Sequence, residues 1–252
     1  MSKQTRRPSA NETSPYKSPK LKLVSRSDEQ KELIRTINAK TITFVRGPAG
    51  TGKTYLSVYY GLQQLFRGKF DRLIFSRPAI EADGEKLGFL PGKISEKINP
   101  FMTPVFDAVN QLVGPDEAES LVKNHTKDAS ITVIPIAYMR GLTFRNVYCL
   151  VDEAQNLTVK QMRMVITRIG PNAKLVLVGD TLQPDLNGHN GLEDAFRRLE
   201  GIEDIGFVTM TRMSIVRHPL IGEIEERYET KTLGYNDRTI CTNSNRFVMA
   251  QG

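Results

Sequence analysis

Short hydrophobic runs alternate with longer amphipathic stretches along most of the chain. The hydrophobic runs are rich in β-branched and aromatic residues, and they predict strands at 41–45, 72–76, 131–134, 147–151, 174–178 and 205–209. The amphipathic stretches predict helices at 53–67, 94–113, 116–124, 158–168, 190–199 and 218–229. An earlier helix begins after a cap at Ser27 or Asp28 and runs through Ile34 and Ile37. This alternation predicts an α/β fold, a parallel sheet with helices on both faces.

Both ends of the chain lack this alternation of hydrophobic runs and amphipathic stretches. Residues 1–24 are rich in Ser, Pro, Lys and Arg and predict a disordered basic arm, which is either an inert solubilising tail or a tether for polyanions. Residues 230–252 predict a loosely packed C-terminal tail or a partner-binding strand. The length of 252 residues therefore predicts one sizeable domain, at residues 25–229.

The positive charge is concentrated in the N-terminal arm. Residues 1–26 contain seven basic residues and one acidic residue, so they carry +6 of the formal net charge of +7. The rest of the chain is close to neutral. The basic character of the whole protein therefore does not by itself indicate that the folded domain binds nucleic acid.

Targeting signals and cysteine chemistry are both weak in this sequence. No apolar run reaches the length of a membrane span, and no hydrophobic stretch follows the basic N-terminal residues as it would in a secretory signal. Of the two cysteines, Cys149 lies in a strand-like run and is predicted to be a core residue, and neither belongs to a metal-spaced cluster. We therefore expect a cytoplasmic protein without a membrane partner.

A glycine-rich segment joins the first predicted strand to the helix at 53–67. It reads GPAGTGKT, and its residues are Gly47, Pro48, Ala49, Gly50, Thr51, Gly52, Lys53 and Thr54. This spacing, between a strand and a helix, predicts a P-loop in which backbone N–H groups and the positive helix end surround a phosphate. Lys53 would reach the outer phosphates of ATP, and the Thr54 hydroxyl would ligate Mg²⁺. Tyr55 extends the predicted nucleotide-binding segment.

Polar residues follow two later strands. Asp152 and Glu153 come directly after the strand at 147–151; alone they would be an ordinary acidic pair before a helix. With a P-loop upstream, they predict a magnesium ligand, Asp152, and a water-polarising carboxylate, Glu153. Gln183 follows the strand at 174–178 and is predicted to sense the γ-phosphate or to position water, since ligands of open α/β sheets bind at this strand edge.

Together these segments resemble the PhoH-like ATPases, which have a RecA-type core related to superfamily 1 helicases. The resemblance covers roughly residues 25–228. Its specific parts are SRPAIEADGEKLGFLPG at 76–92, IPIAYMRGLTF at 134–144 and VDEAQNL at 151–157. It implies a single RecA-like P-loop NTPase domain that binds and hydrolyses ATP.

The resemblance also implies roles for two residues far from the P-loop in sequence. Gln30 is expected to read the adenine edge, since its amide offers a donor and an acceptor in one plane; the alternative is a solvated helix glutamine. Arg217 is expected to be an arginine finger, and the alternative is a structural pair with Glu223. Because one RecA-like domain would need a neighbour to supply that arginine, we expect a homo-oligomeric ring, a hexamer.

Three functions are compatible with these residues. The first is Mg-dependent ATP hydrolysis coupled to binding or translocation along single-stranded RNA or DNA, as in a helicase-like motor. The second is an ATP-controlled assembly or regulatory module without unwinding activity. A small-molecule kinase fits less well, because the carboxylate and Gln183 segments indicate that water is the nucleophile. The near-neutral body weighs against the first function, and stimulation by single strands would separate the first two.

Overall fold

The computed structural model describes residues 21, 25–78, 102–123, 130–180 and 190–214. These residues belong to one compact unit. Several sequence predictions lie outside the described residues: the two tails, the helix at 218–229, the first part of the helix at 94–113, and the site residues Gln183 and Arg217.

Helices and strands alternate through the described part of the chain. The strands are β1 Ile42–Arg46, β2 Arg72–Ser76, β3 Ile131–Val133, β4 Val147–Val151, β5 Lys174–Gly179 and β6 Ile205–Thr209. The helices are α1 Asp28–Ala39, α2 Lys53–Phe66, α3 Thr103–Val113, α4 Pro115–Lys123, α5 Val159–Ile166 and α6 Gly191–Arg198. Short 3₁₀ helices span Ile136–Met139, Ala154–Asn156 and Arg212–Ser214. None of the described helices has both the length and the apolar character needed to cross a bilayer.

The six strands form one sheet in the order β3-β2-β4-β5-β1-β6, and every neighbouring pair is parallel. In the sheet register, Arg46 lies beside Gly179 and Val151 beside Leu177. The carboxyl ends of β1, β5 and β4 therefore meet at one edge, with β5 between the strand of the P-loop and the strand of the carboxylates. The predicted fold class, an α/β fold with a parallel sheet, is confirmed.

Side chains of the central strands alternate between two cores, as the two-residue period of a strand requires. In β4, Tyr148 and Leu150 pack on the side of α1 to α4, whereas Cys149 and Val151 pack on the side of α5 and α6. Helices thus cover both faces. Burial raises the pKa of the Cys149 thiol, which fits its predicted place in the core.

Side-chain caps determine where α1 and α5 begin. The Ser27 hydroxyl accepts a hydrogen bond from the backbone N–H of Gln30 and starts α1, one of the two caps that the sequence allowed. Thr158 and Gln161 form a capping box, so Thr158 precedes α5 rather than belonging to it. The strand ends agree with the predicted ranges to within one residue at each end.

Candidate nucleotide site

The P-loop is shaped by glycines with backbone conformations or contacts that side chains would not permit. Gly52 precedes α2 with φ of 88°, in the left-handed region. A Cβ atom at Gly47 would lie 2.4 Å from the carbonyl oxygen of Met210, so a side chain there would collide with the backbone after β6. The first backbone N–H groups of α2 have no partner inside the helix, and they point toward the loop.

The ammonium of Lys53 lies within this loop. Its Nζ atom donates hydrogen bonds to the carbonyl oxygens of Gly47 at 2.5 Å and Pro48 at 2.7 Å. The Thr51 hydroxyl donates to the same Pro48 carbonyl at 3.0 Å and closes the turn. Lys53 is only 8% exposed, so its ammonium is held inside the loop.

Thr54 and Asp152 meet although 98 positions separate them in the sequence. The Thr54 hydroxyl donates a hydrogen bond of 2.8 Å to Oδ1 of Asp152. Burial raises the pKa of the Asp152 carboxyl, and the adjacent Glu153 charge adds to the rise, while the Thr54 hydrogen bond opposes it. A cation beside Asp152 would offset this cost of burying its charge.

The oxygen atoms of Thr54 and Asp152 are the hard ligands that Mg²⁺ prefers. Among the described residues, no group of three or more His, Cys, Asp or Glu side chains is arranged to hold a metal by itself. Such a sparse set fits Mg²⁺, which keeps several waters and binds through one or two protein groups together with substrate phosphates.

Glu153 is held by two side chains that the sequence analysis did not assign to it. Its Oε1 atom accepts a hydrogen bond of 3.0 Å from Nη2 of Arg77, and its Oε2 atom accepts one of 2.6 Å from Nε2 of Gln155. The Glu153 backbone has φ of 53°, which is uncommon for a residue other than glycine. Arg77 directly follows β2, the strand beside β4, but the strand order that brings it to Glu153 is not visible in the local sequence.

Gln155 also connects the carboxylates to the end of β5. Its Oε1 atom accepts a hydrogen bond of 3.0 Å from the backbone N–H of Asp180, and only 2% of the residue is exposed. A Cβ atom at Gly179 would lie 2.6 Å from the same Oε1 atom, so this contact requires glycine at the strand end. In the sequence, Gln155 stood out only as the last residue of the DEAQ segment at 152–155, and nothing there indicated which residues it would contact.

Gln30 is buried against the P-loop, with 4% of the residue exposed. The alternative of a solvated helix glutamine is therefore wrong. Its Nε2 atom donates to the carbonyl oxygen of Thr51 at 3.1 Å, and its Oε1 atom accepts from the backbone N–H of Arg26 at 2.7 Å. Each amide atom keeps a second hydrogen-bonding position, which the expected contact with an adenine edge requires.

If Gln30 reads adenine, Gln30→Ala should reduce the preference for ATP over GTP by about tenfold, the worth of one or two hydrogen bonds to a base. The measurement is the KM for each nucleotide. Gln63→Ala, which removes an amide bonded to Tyr59 on α2, is the matched control and should keep the wild-type preference. An equal weakening of ATP and GTP in the Gln30 variant would show that the amide only supports the loop.

The segment after β6 is fixed to the first turn of α1. The Glu29 carboxylate accepts hydrogen bonds from the backbone N–H of Thr211 at 2.9 Å and from the Thr211 hydroxyl at 2.7 Å. The Ser214 hydroxyl also donates to Glu29. Glu29 therefore holds the chain three residues before Arg217, next to the helix that carries Gln30, and no sequence motif indicated this role.

The remaining P-loop residues lie where the sequence placed them, between β1 and α2. Tyr55 lies in the first turn of α2, and its side chain is partly buried against the core on the side of α1 to α4. We therefore expect its contribution to a phosphate site to come from its backbone N–H rather than its ring.

The chain matches the family model described as PhoH-like protein over residues 22–229. It belongs to the PhoH-like protein family. Related proteins named PhoH-like are 43% identical over 202 residues in Synechocystis sp. and 41% identical over 202 residues in Bacillus subtilis, each alignment covering 79% of this chain. Protein PhoH of Escherichia coli is 37% identical over 200 residues.

The chain spans only part of these relatives: 60% of the Synechocystis protein, 62% of the Bacillus protein and 56% of the Escherichia protein. Solved structures similar to it include the large terminase of a thermophilic bacteriophage in complex with ADP, with 14% identity, a TM-score of 0.45, and coverage of 81% of this chain and 49% of that one. The Pif1 helicase from Candida albicans aligns at 15% identity and a TM-score of 0.37, covering 75% of this chain and 40% of that one.

Proposed function

We propose that this chain hydrolyses ATP in a Mg²⁺-dependent reaction and couples hydrolysis to binding of single-stranded RNA or DNA. The observation that carries the proposal is the hydrogen bond of 2.8 Å between Thr54 and Asp152, with Glu153 next in the chain. It brings the P-loop and the strand-end carboxylates together, which is the arrangement that phosphoryl transfer to water requires.

Each residue of this arrangement has a distinct task in the proposed reaction. Lys53 binds the outer phosphates, and Thr54 with Asp152 would hold Mg²⁺. When bound, Mg²⁺ neutralises charge on the phosphate oxygens. Glu153 orients and polarises the attacking water.

Two further residues complete the proposal. We propose that Gln183 senses the γ-phosphate, and that Arg217 of a neighbouring subunit stabilises the transferred phosphoryl group in a homo-oligomeric ring, a hexamer. The support is the resemblance of the sequence around these positions to that of the family.

A basic surface supports the nucleic-acid part of the proposal. Between Ser130 and Gly179 the chain has six basic residues, and its two acidic residues there are Asp152 and Glu153 of the nucleotide site. Five of the six are exposed or partly exposed, and we call these five together the basic surface: Arg140, Arg145, Lys160, Arg163 and Arg168. A folded domain of nearly neutral total charge can therefore still present a local site for phosphates.

Two of the segments that carry these residues are in contact. The 3₁₀ helix Ile136–Met139 contacts α5, and Nη1 of Arg168 donates to the carbonyl oxygen of Leu142 at 3.3 Å. Tyr138 lies in that 3₁₀ helix and is 57% exposed. An exposed aromatic ring two positions from Arg140 in the chain suits a single strand, whose bases can stack while its phosphates pair with cations.

The test is ATP hydrolysis by the purified protein, alone and with a single-stranded oligonucleotide of RNA or of DNA. Glu153→Gln serves as the blank, because it removes the proposed water-polarising carboxylate. We expect measurable hydrolysis that either strand increases and that the blank lacks. The rise should weaken with added salt, since phosphate contacts are screened.

Hydrolysis that is indifferent to both strands would contradict the nucleic-acid part and favour the ATP-controlled assembly module. In that case ATP should change the mass of the protein assembly in solution, because ATP would control how many copies of the chain associate. Equal hydrolysis in wild type and Glu153→Gln would contradict the assignment of the site itself.

A further inference from the structure

The carboxylate of Glu153 already has a protein partner on each oxygen. Arg77 bonds Oε1 at 3.0 Å, and Gln155 bonds Oε2 at 2.6 Å. A general base must direct an oxygen lone pair at the attacking water. An oxygen paired with a guanidinium keeps a second lone pair, but its strongest hydrogen bond is directed to the protein, and this bond lowers its basicity and fixes its direction. The structure therefore shows Glu153 in a restrained position.

The two partners differ in how readily they can separate from Glu153. Gln155 is buried and bonded to the backbone of Asp180, and Gly179 leaves it no space to shift toward β5. The Arg77 and Glu153 side chains are 22% and 31% exposed, so a ligand can reach their contact. Of the two contacts, the ion pair is therefore the one that a ligand can break.

We propose that Arg77 is a positioning residue that restrains Glu153, and that a phosphodiester group bound by Arg77 releases it. The proposal rests on the proposed function, because it explains how strand binding raises hydrolysis. A guanidinium binds phosphate oxygens through the same paired N–H groups that bind a carboxylate, so phosphate competes directly with Glu153.

The sheet supplies a route for such a phosphate. β2, which Arg77 directly follows, pairs with β4 on one side and with β3 on the other. β3 leads into the segment that carries Tyr138 and Arg140. That segment starts beside the end of β2, where the backbone N–H of Ile134 donates to the carbonyl oxygen of Phe75 at 3.0 Å. In the proposal, a single strand bound along the segment brings one of its phosphates to Arg77, which then leaves Glu153.

The test compares wild type with Arg77→Gln, Arg77→Lys and Arg72→Gln, in steady-state ATP hydrolysis with and without a single-stranded oligonucleotide. Arg72 is the matched control because it begins the same strand, at the opposite edge of the sheet. For Arg77→Gln we expect a basal kcat about fivefold above wild type, as loss of one partly exposed ion pair implies. The KM for ATP should stay unchanged, and the strand should add little.

Arg77→Lys should fall between wild type and Arg77→Gln, since lysine keeps the charge but not the paired N–H geometry. The double variant Arg77→Gln, Glu153→Gln should be as slow as Glu153→Gln alone, which would show that the gain depends on Glu153.

A basal kcat of Arg77→Gln at or below wild type would overturn the proposal and make Arg77 a support of the active position. A wild-type enzyme that no strand stimulates would overturn release by phosphodiester and the nucleic-acid part of the proposed function. The basal kcat of Arg77→Gln would still show whether Arg77 restrains Glu153. Absence of hydrolysis in wild type would instead contradict the ATPase assignment, so the two failures are distinguishable.

Discussion

Lys53→Ala is expected to lower ATP hydrolysis by at least about 100-fold, because it removes a cation placed to meet charge that develops on the outer phosphates. Lys53 is buried in the loop and donates to the Gly47 and Pro48 carbonyls, so its position is set before a nucleotide arrives. Nucleotide affinity should fall as well, by roughly tenfold or more, as loss of a charged hydrogen bond implies. Steady-state kinetics measures hydrolysis, and titration with a fluorescent nucleotide measures affinity.

Lys69→Ala is the matched control for this prediction. Lys69 follows the other end of α2 and is exposed, so its loss should change neither quantity. Because Lys53 supports the loop, thermal unfolding of both variants must be compared with wild type. A folded Lys53→Ala protein with wild-type turnover would contradict the assignment of the P-loop.

Glu153→Gln is expected to slow hydrolysis by about 100-fold to 10,000-fold, the usual contribution of a positioned general base. ATP binding should change little, because Lys53, Thr54 and Asp152 remain. The substitution keeps the size of the side chain. Glutamine also tolerates the backbone conformation of Glu153 as well as glutamate does. One carboxylate oxygen becomes an NH₂ group, which disrupts one of the contacts to Arg77 and Gln155.

Glu200→Gln, an exposed change after α6, should keep wild-type turnover and serves as the control. Single-turnover measurements with bound ATP separate the chemical step from binding. If Glu153→Gln reduced affinity and left the chemical step unchanged, Glu153 would be a binding residue and the proposed role would be wrong.

The sequence predicted the strands well because each is a short apolar run between polar turns. β2, β4 and β6 lie at the predicted ranges, and β5 extends one residue further, to Gly179. That extra residue is a glycine that a propensity argument excludes from a strand. It belongs to β5 because Arg46 of β1 pairs with it, and it must be glycine because Gln155 occupies the space of a side chain.

The glycine-rich loop between β1 and α2 was also predictable, since GPAGTGKT is a local pattern whose backbone geometry depends on residues that are neighbours in sequence. The meeting of Asp152 with Thr54 followed from the prediction that both residues are magnesium ligands, and not from their spacing in the sequence. Gln30 shows the limit of helix periodicity. Periodicity indicates which face of α1 is apolar, but it does not indicate that a polar residue on that helix is buried against the P-loop.

For the described part of the chain, the sequence by itself determined the strands, the positions of most helices, the glycine-rich loop and the presence of carboxylates at a strand end, because these depend on residues close in the chain. Only the tertiary structure decided that β5 lies between β1 and β4, that Arg77 reaches Glu153 across 76 positions, and that Gln155 joins Glu153 to Asp180. These contacts depend on the order of strands in the sheet. That order follows from the packing of all the strands and helices together, which no local pattern of residues encodes.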